Sequence, residues 1–151
     1  MVLHHHTMIM VPAWWAAFSA SATPPLAWSL FPFQDASRTQ VPNAPGVYAF
    51  LIVPNIAGNL NVSYLMYIGK TDRPLRQRFG EYLFEAKSDR IRPNLLRILP
   101  RYPNHLVFAC ATTPAGTAPQ DVEAALLRAF VPPCNDQLPA TIQRAKKAFK
   151  L

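Results

Sequence analysis

The chain has 151 residues, half of them apolar and 15% charged, with fifteen Lys and Arg against eight Asp and Glu for a formal net charge of +7. That length suits one domain, and the apolar fraction supports a packed core and excludes wholesale disorder. Sixteen prolines against five glycines speak for fixed turns, while two widely spaced cysteines, Cys110 and Cys134, argue against a disulfide scaffold or a paired-cysteine zinc site and point to a reducing, cytoplasmic compartment.

Residues 1–40 read as an apolar extension containing Pro and Trp, with Trp14, Trp15 and Trp28 as an aromatic arm for packing on the domain or on a partner. Prolines 12, 24, 25 and 32 leave Ala13–Thr23 as its longest proline-free run, short of the roughly 20 residues a membrane-spanning helix needs. No Lys or Arg precedes Arg38, so neither a membrane span nor a basic-headed export signal is expected. His4-His5-His6 can be read as a metal-binding tract or as an incidental run.

Gly46–Val53 is a continuous apolar, β-prone run bounded by Pro45 and Pro54, which reads as a buried strand, and Val62–Ile68 reads as a second. The turn formers of Pro54–Asn61 join them as an antiparallel hairpin with a long loop, and His105–Ala111 completes a small sheet. Asp72 is expected to cap a helix with Pro74 in its first turn and Leu75, Phe79, Tyr82, Leu83 and Ala86 facing inward. Arg78 and Tyr82, four apart, share one face of it. A short helix is expected around Asn94–Leu99. Thr117 or Pro119 opens another, with Val122, Ala125, Leu126, Ala129 and Phe130 inward, Glu123 beside that stripe, and Pro132-Pro133 as a stop. Residues 139–151 form an amphipathic basic helix, with Ile142, Ala145 and Phe149 opposite Arg144, Lys146, Lys147 and Lys150.

The positive charge is concentrated in two places: Tyr67–Arg101 holds nine basic and four acidic residues, and Ala140–Leu151 holds four basic and none acidic. Such clustering fits a polyanion-facing surface, because neutralising phosphates releases counterions; a merely solvated basic face is the plainer reading. Glu123 is the one carboxylate on the inner face expected for its helix, which makes it the natural ligand for a hard cation such as Mg²⁺ or Mn²⁺. Arg78 offers a planar fork of donors suited to phosphate oxygens.

Taken in order, Gly46-Val47-Tyr48, Tyr67-Ile68-Gly69-Lys70, Arg78 and Tyr82 on the next helix, then Glu123 and Asn135 across the Pro-Pro stop resemble the GIY-YIG nuclease domain. The resemblance runs over roughly Pro42–Leu138, so residues 41–138 are expected to be the nuclease domain. Val47 stands where the family has Ile, and the interval of nineteen residues between Tyr48 and Tyr67 exceeds the family's usual short hairpin, so Ile56–Asn61 reads as an insertion. The resemblance implies an α+β fold, a small three-stranded antiparallel sheet flanked by helices, with the site on the sheet face that meets the helices bearing Arg78 and Glu123.

It also implies a metal-dependent endonuclease that hydrolyses DNA phosphodiester bonds as a stand-alone, single-domain enzyme, either monomeric or a homodimer. One triplet tyrosine acts on the attacking water: Tyr48 as base with Tyr67 orienting the water, or the two exchanged, with Lys70 nearby. A base at neutral pH needs its phenol lowered by some 2 or 3 units from about 10, which Lys70, Arg78 and the metal would promote. Tyr82 is a second phosphate contact or proton relay, while Gly46, Gly69 and Asn135 support the site. Arg73, Arg76, Arg144, Lys146 and Lys147 are expected to contact DNA. Each residue also has a plainer role: Tyr48 and Tyr67 as sheet core, Glu123 as a helix-end charge, Arg78 paired with Glu81 or Asp121, Asn135 in a turn, and Lys70 as a hairpin-end charge. The alternative at the level of function is a nucleic-acid-binding module whose nuclease-like site is inactive.

Overall fold

A computed structural model describes residues 2–21, 25–54 and 62–148 of the chain. The class is α+β. Helix α1 (Pro12–Ser19), strand β1 (Ser29–Pro32) and a 3-10 helix (Asp35–Gln40) precede β2 (Gly46–Ile52) and β3 (Tyr64–Thr71). Helices α2 (Leu75–Ala86) and α3 (Pro93–Leu96), β4 (Leu106–Thr112), α4 (Pro119–Ala129) and α5 (Ala140–Ala148) follow. The strands form one antiparallel sheet in the order β1-β4-β2-β3.

The expected sheet has three strands, and the structure has four. The extra one is β1, which pairs Ser29–Pro32 with Val107–Cys110 and occupies the edge of β4 that a three-stranded sheet would leave open. A four-residue segment ending in proline carries too little alternation to announce itself, and proline is tolerated there because an edge strand has no neighbour on its outer side.

Strand β2 is central, and its side chains alternate between two cores. Tyr48, Phe50 and Ile52 join Phe79, Tyr82 and Leu83 of α2 with Phe108 of β4. Val47 and Ala49 join Val122, Leu126 and Leu127 of α4 with Ile142 of α5. Both faces being covered, β2 reads as an unbroken apolar run. The same alternation corrects the expectation that one sheet face meets both functional helices: α2 and α4 pack on opposite faces.

Register with Phe50 puts Tyr67 on the α2 side, and a bulge in β3 turns Met66 to that same face. Phe50 pairs with Tyr67 but Leu51 pairs with Leu65, so Met66 is the additional residue, and both Met66 and Tyr67 pack into the α2-side core. Bulges re-aim side chains in this way.

Helix α2 does not take Asp72 as its cap. Pro74 occupies that position without a side-chain cap bond. The open amides of the first turn are satisfied instead by the loop before β2, with Leu75 N donating to Ala44 O at 2.9 Å and Arg76 N to Pro42 O at 3.0 Å. Asp72 pairs with Lys70. The short helix expected at Asn94–Leu99 is Pro93–Leu96, followed by turns. The insertion read at Ile56–Asn61 and the apolar position at Phe149 lie outside the described residues.

The N-terminal segment packs on the domain. Helix α1 sets Trp15 and Phe18 against Phe130, with ring centroids 6.4 and 5.8 Å apart, and Ile9 bridges to Val131. His4 meets the Tyr102 ring edge-on, and His6 Nε2 hydrogen-bonds the Tyr102 hydroxyl at 2.7 Å. Among the described residues no helix is long and apolar enough to cross a membrane.

Candidate active site at the edge of the sheet

The two tyrosine triplets meet through strand register. Tyr48 lies opposite Gly69 on the neighbouring strand. A Cβ at Gly69 would stand 2.5 Å from both Cζ and Oη of Tyr48, so the glycine makes the space that the phenol ring crosses. Gly46 is constrained by backbone: a Cβ there would lie 2.2 Å from Ala111 O on β4. Both glycines are where close approach requires them.

Tyr48 (1% exposed) and Tyr82 (fully buried) join their hydroxyls at 2.7 Å. Arg78 Nε donates to Tyr48 Oη at 3.2 Å while its guanidinium lies over the Tyr82 ring, 4.6 Å from the centroid. Spacing of four along α2 thus brings Arg78 and Tyr82 together as expected. Arg78 Nη1 also pairs with Glu81 at 2.8 Å, and Arg73 pairs with the same carboxylate at 2.7 Å. The Tyr67 ring lies 6.3 Å from that of Tyr48.

Burial holds the Tyr48 phenol well above its ordinary range, with the neighbouring Tyr82 and Tyr67 adding to the rise against the opposing charge of Arg78. Tyr67 is pushed up as well, by burial first and then by Tyr82, with Arg92 and Arg78 opposing. For both phenols desolvation outweighs the nearby cations of the protein, a direction opposite to the lowering that a base at neutral pH needs. Lys70 is not among those cations. It follows Gly69 on β3 and so projects to the α4 side, next to Asp72 and Glu123.

Among the described residues the outer edge of β3 has no neighbouring strand, and the chain after α4 satisfies it. Pro132-Pro133 turns the backbone so that Cys134 N donates to Met66 O at 3.0 Å. One residue on, the Asn135 side chain does the work of a strand partner: Ile68 N donates to Oδ1 at 2.9 Å, and Nδ2 donates to Ile68 O at 2.8 Å. Further along, Glu123 lies beside Lys70 and Asp72. Burial raises the Glu123 carboxyl above its usual range, with Lys70 pulling the other way.

Although α2 and α4 are on opposite faces, Tyr67 of β3 and Glu123 of α4 come together beyond this edge, while Tyr48, Arg78 and Tyr82 do not line the space they share. A hollow of about 330 Å³ is lined by Tyr67, Arg92, Asn94, Glu123 and Asn135 among others. Arg92 is the residue that sequence reasoning missed. Its only signal is its place before Pro93, which opens α3 and favours the extended backbone seen at Arg92, φ −55° and ψ 138°.

Of the arginines expected on DNA, Arg73 is exposed but paired, and Arg76 turns inward, its Nε donating to Val41 O at 2.9 Å. Arg144, Lys146 and Lys147 are carried on α5, which is anchored by buried Ile142. Among the described residues no group of three or more His, Cys, Asp or Glu gathers to hold a metal ion. Glu123 and Asp136 are thus the two carboxylates that line the polar hollow. That donor set suits a hard cation taking most of its ligands from water and phosphate. No protein-family model, curated protein or solved structure matches the chain.

Proposed function

We propose that the chain is a metal-dependent endonuclease of the GIY-YIG kind, hydrolysing DNA phosphodiester bonds in the hollow beside β3. One observation carries the reading: Tyr67 and Glu123, far apart in sequence and rooted on opposite sides of the sheet, line the same cavity. Glu123 would hold Mg²⁺ or Mn²⁺, which when bound neutralises charge on the phosphate and its leaving oxygen.

The water-facing role goes to Tyr67 rather than Tyr48, because Tyr67 lines the hollow and the Tyr48 hydroxyl is buried between Tyr82 and Arg78. As a neutral phenol, Tyr67 accepts a hydrogen bond from the attacking water at Oη and orients it. Tyr48 and Tyr82 fix that ring from behind, and Arg78 keeps positive charge close to the phenols. Arg73, Arg144, Lys146 and Lys147 supply the charge for contact with the DNA backbone. Two free, buried cysteines agree with a reducing compartment, which we take to be the cytoplasm.

The raised phenols favour one competing reading, a module that binds nucleic acid without cutting it. Nicking of supercoiled plasmid in Mg²⁺ or Mn²⁺ separates the two. We expect nicking that EDTA abolishes and that Glu123→Gln reduces by ~10² or more, in keeping with loss of a charge-stabilising group. Binding without nicking in either metal selects the module, and wild-type nicking by Glu123→Gln refutes the assigned site.

A further inference from the structure

We propose that Arg92 is a phosphate-contacting residue of the hollow, held in its receiving position by Glu85; the inference rests on the endonuclease reading above. Three observations converge on it. Among the described residues that line the hollow, Arg92 is the sole cation, in company with the carboxylates of Glu123 and Asp136. A phosphodiester entering that space meets negative charge and needs a fixed positive group to offset it.

The other nearby cations are committed. Arg78 is engaged by Tyr48 and Glu81, and Lys70 by Asp72. Arg92 is gripped along one edge by Glu85, with Tyr82 beside it. Glu85 accepts from Arg92 Nε at 2.9 and 3.2 Å and from Nη2 at 2.7 Å, leaving Nη1 and the second hydrogen of Nη2 outside that pairing. Those groups match the spacing of two phosphate oxygens.

The grip is also unusually complete. The same Glu85 carboxylate accepts from the Arg92 backbone N–H at 2.9 Å, so side chain and main chain are held by one group. The guanidinium stands 5.2 Å from the Tyr82 ring centroid, which places it against the phenol cluster. Ordering a long side chain before substrate arrives removes an entropic cost from binding. Glu85 is accordingly a positioning residue, and Arg92 is the group that touches substrate.

Two measurements test this: duplex DNA binding in EDTA as a function of salt, and single-turnover cleavage in Mg²⁺. Removing one phosphate contact should lower the slope of log K against log salt by about 0.9, so Arg92→Ala should lose that much and cleave at least about tenfold more slowly. Arg92→Lys keeps a charge without the fork and should retain the slope while cleaving slowly. Glu85→Gln leaves Arg92 in place but loosens it, and should likewise keep the slope and lower the cleavage rate. A wild-type enzyme that binds and cuts while Arg92→Ala matches it in slope and rate overturns this proposal alone. If Arg92→Ala does not fold, Arg92→Lys decides, and cleavage at the wild-type rate overturns it. A wild-type chain that neither binds nor cuts DNA removes the endonuclease reading and this inference with it.

Discussion

Glu123 shows at the scale of one residue how a functional group can weaken the fold that holds it. Burial favours its protonated form, so the folded chain binds that proton more tightly than the unfolded chain does. Stability therefore falls as pH rises from the ordinary carboxylate pKa through the raised one, and at neutral pH the charge is carried at a cost. Glu123→Gln keeps a polar side chain of the same shape and removes the charge. It should melt at a higher temperature than wild type at pH 7, with the difference shrinking below pH 4.5; a lower melting temperature at pH 7 would contradict the burial argument. Residue identities were readable in advance at Gly46 and Gly69, but their reasons were not. The 2.2 and 2.5 Å approaches exist only once β2 lies between β3 and β4.

At the scale of elements, the edge of β3 decides the site. An exposed edge must have its amides and carbonyls satisfied, and here a side chain supplies both bonds at Ile68. Asn135→Ala leaves that pair open and should cost about 1–3 kcal/mol, with faster hydrogen exchange at the Ile68 amide. Asn135→Asp retains the acceptor but sets a carboxylate against Ile68 O, so it should be the more damaging change at pH 7 and recover in acid. Equal exchange at Ile68 in wild type and Asn135→Ala would show that the side chain does not close the edge. Strand and helix positions were legible because apolar periodicity reports which way side chains must point. The helix start at α2 was misread because its amides are met by carbonyls of Pro42 and Ala44, a long-range contact that no local capping signal encodes. Arg92 was missed for the same reason: its partner Glu85 becomes a neighbour only after the chain turns.

Across the whole molecule, the N-terminal segment is tied to the domain at separate points, one of them titratable. Burial lowers the His6 pKa, and Arg97, Arg101, His4 and His5 add to that direction. The folded chain therefore binds fewer protons here than the unfolded chain below the ordinary value of 6.5, so the contact with Tyr102 stabilises above that pH and is lost as pH falls through the lowered pKa. Hydrogen exchange of residues 2–10 should accelerate between pH 7 and pH 5 beyond the intrinsic change, and His6→Phe should remove that pH dependence. Protection that is the same at both pH values would mean the histidine does not control the segment.

By itself the sequence determined the α+β class, three of the four strands, the principal helices and the pairing of Arg78 with Tyr82 on one helix face, because burial periodicity and helical spacing are local properties of the chain. Tertiary structure alone decided that α2 and α4 take opposite faces, that a bulge turns Met66 toward the α2 side, and that Asn135 closes one strand edge. Those outcomes depend on which backbone groups lack a partner after the sheet has formed, and that is known only when every strand has its neighbour.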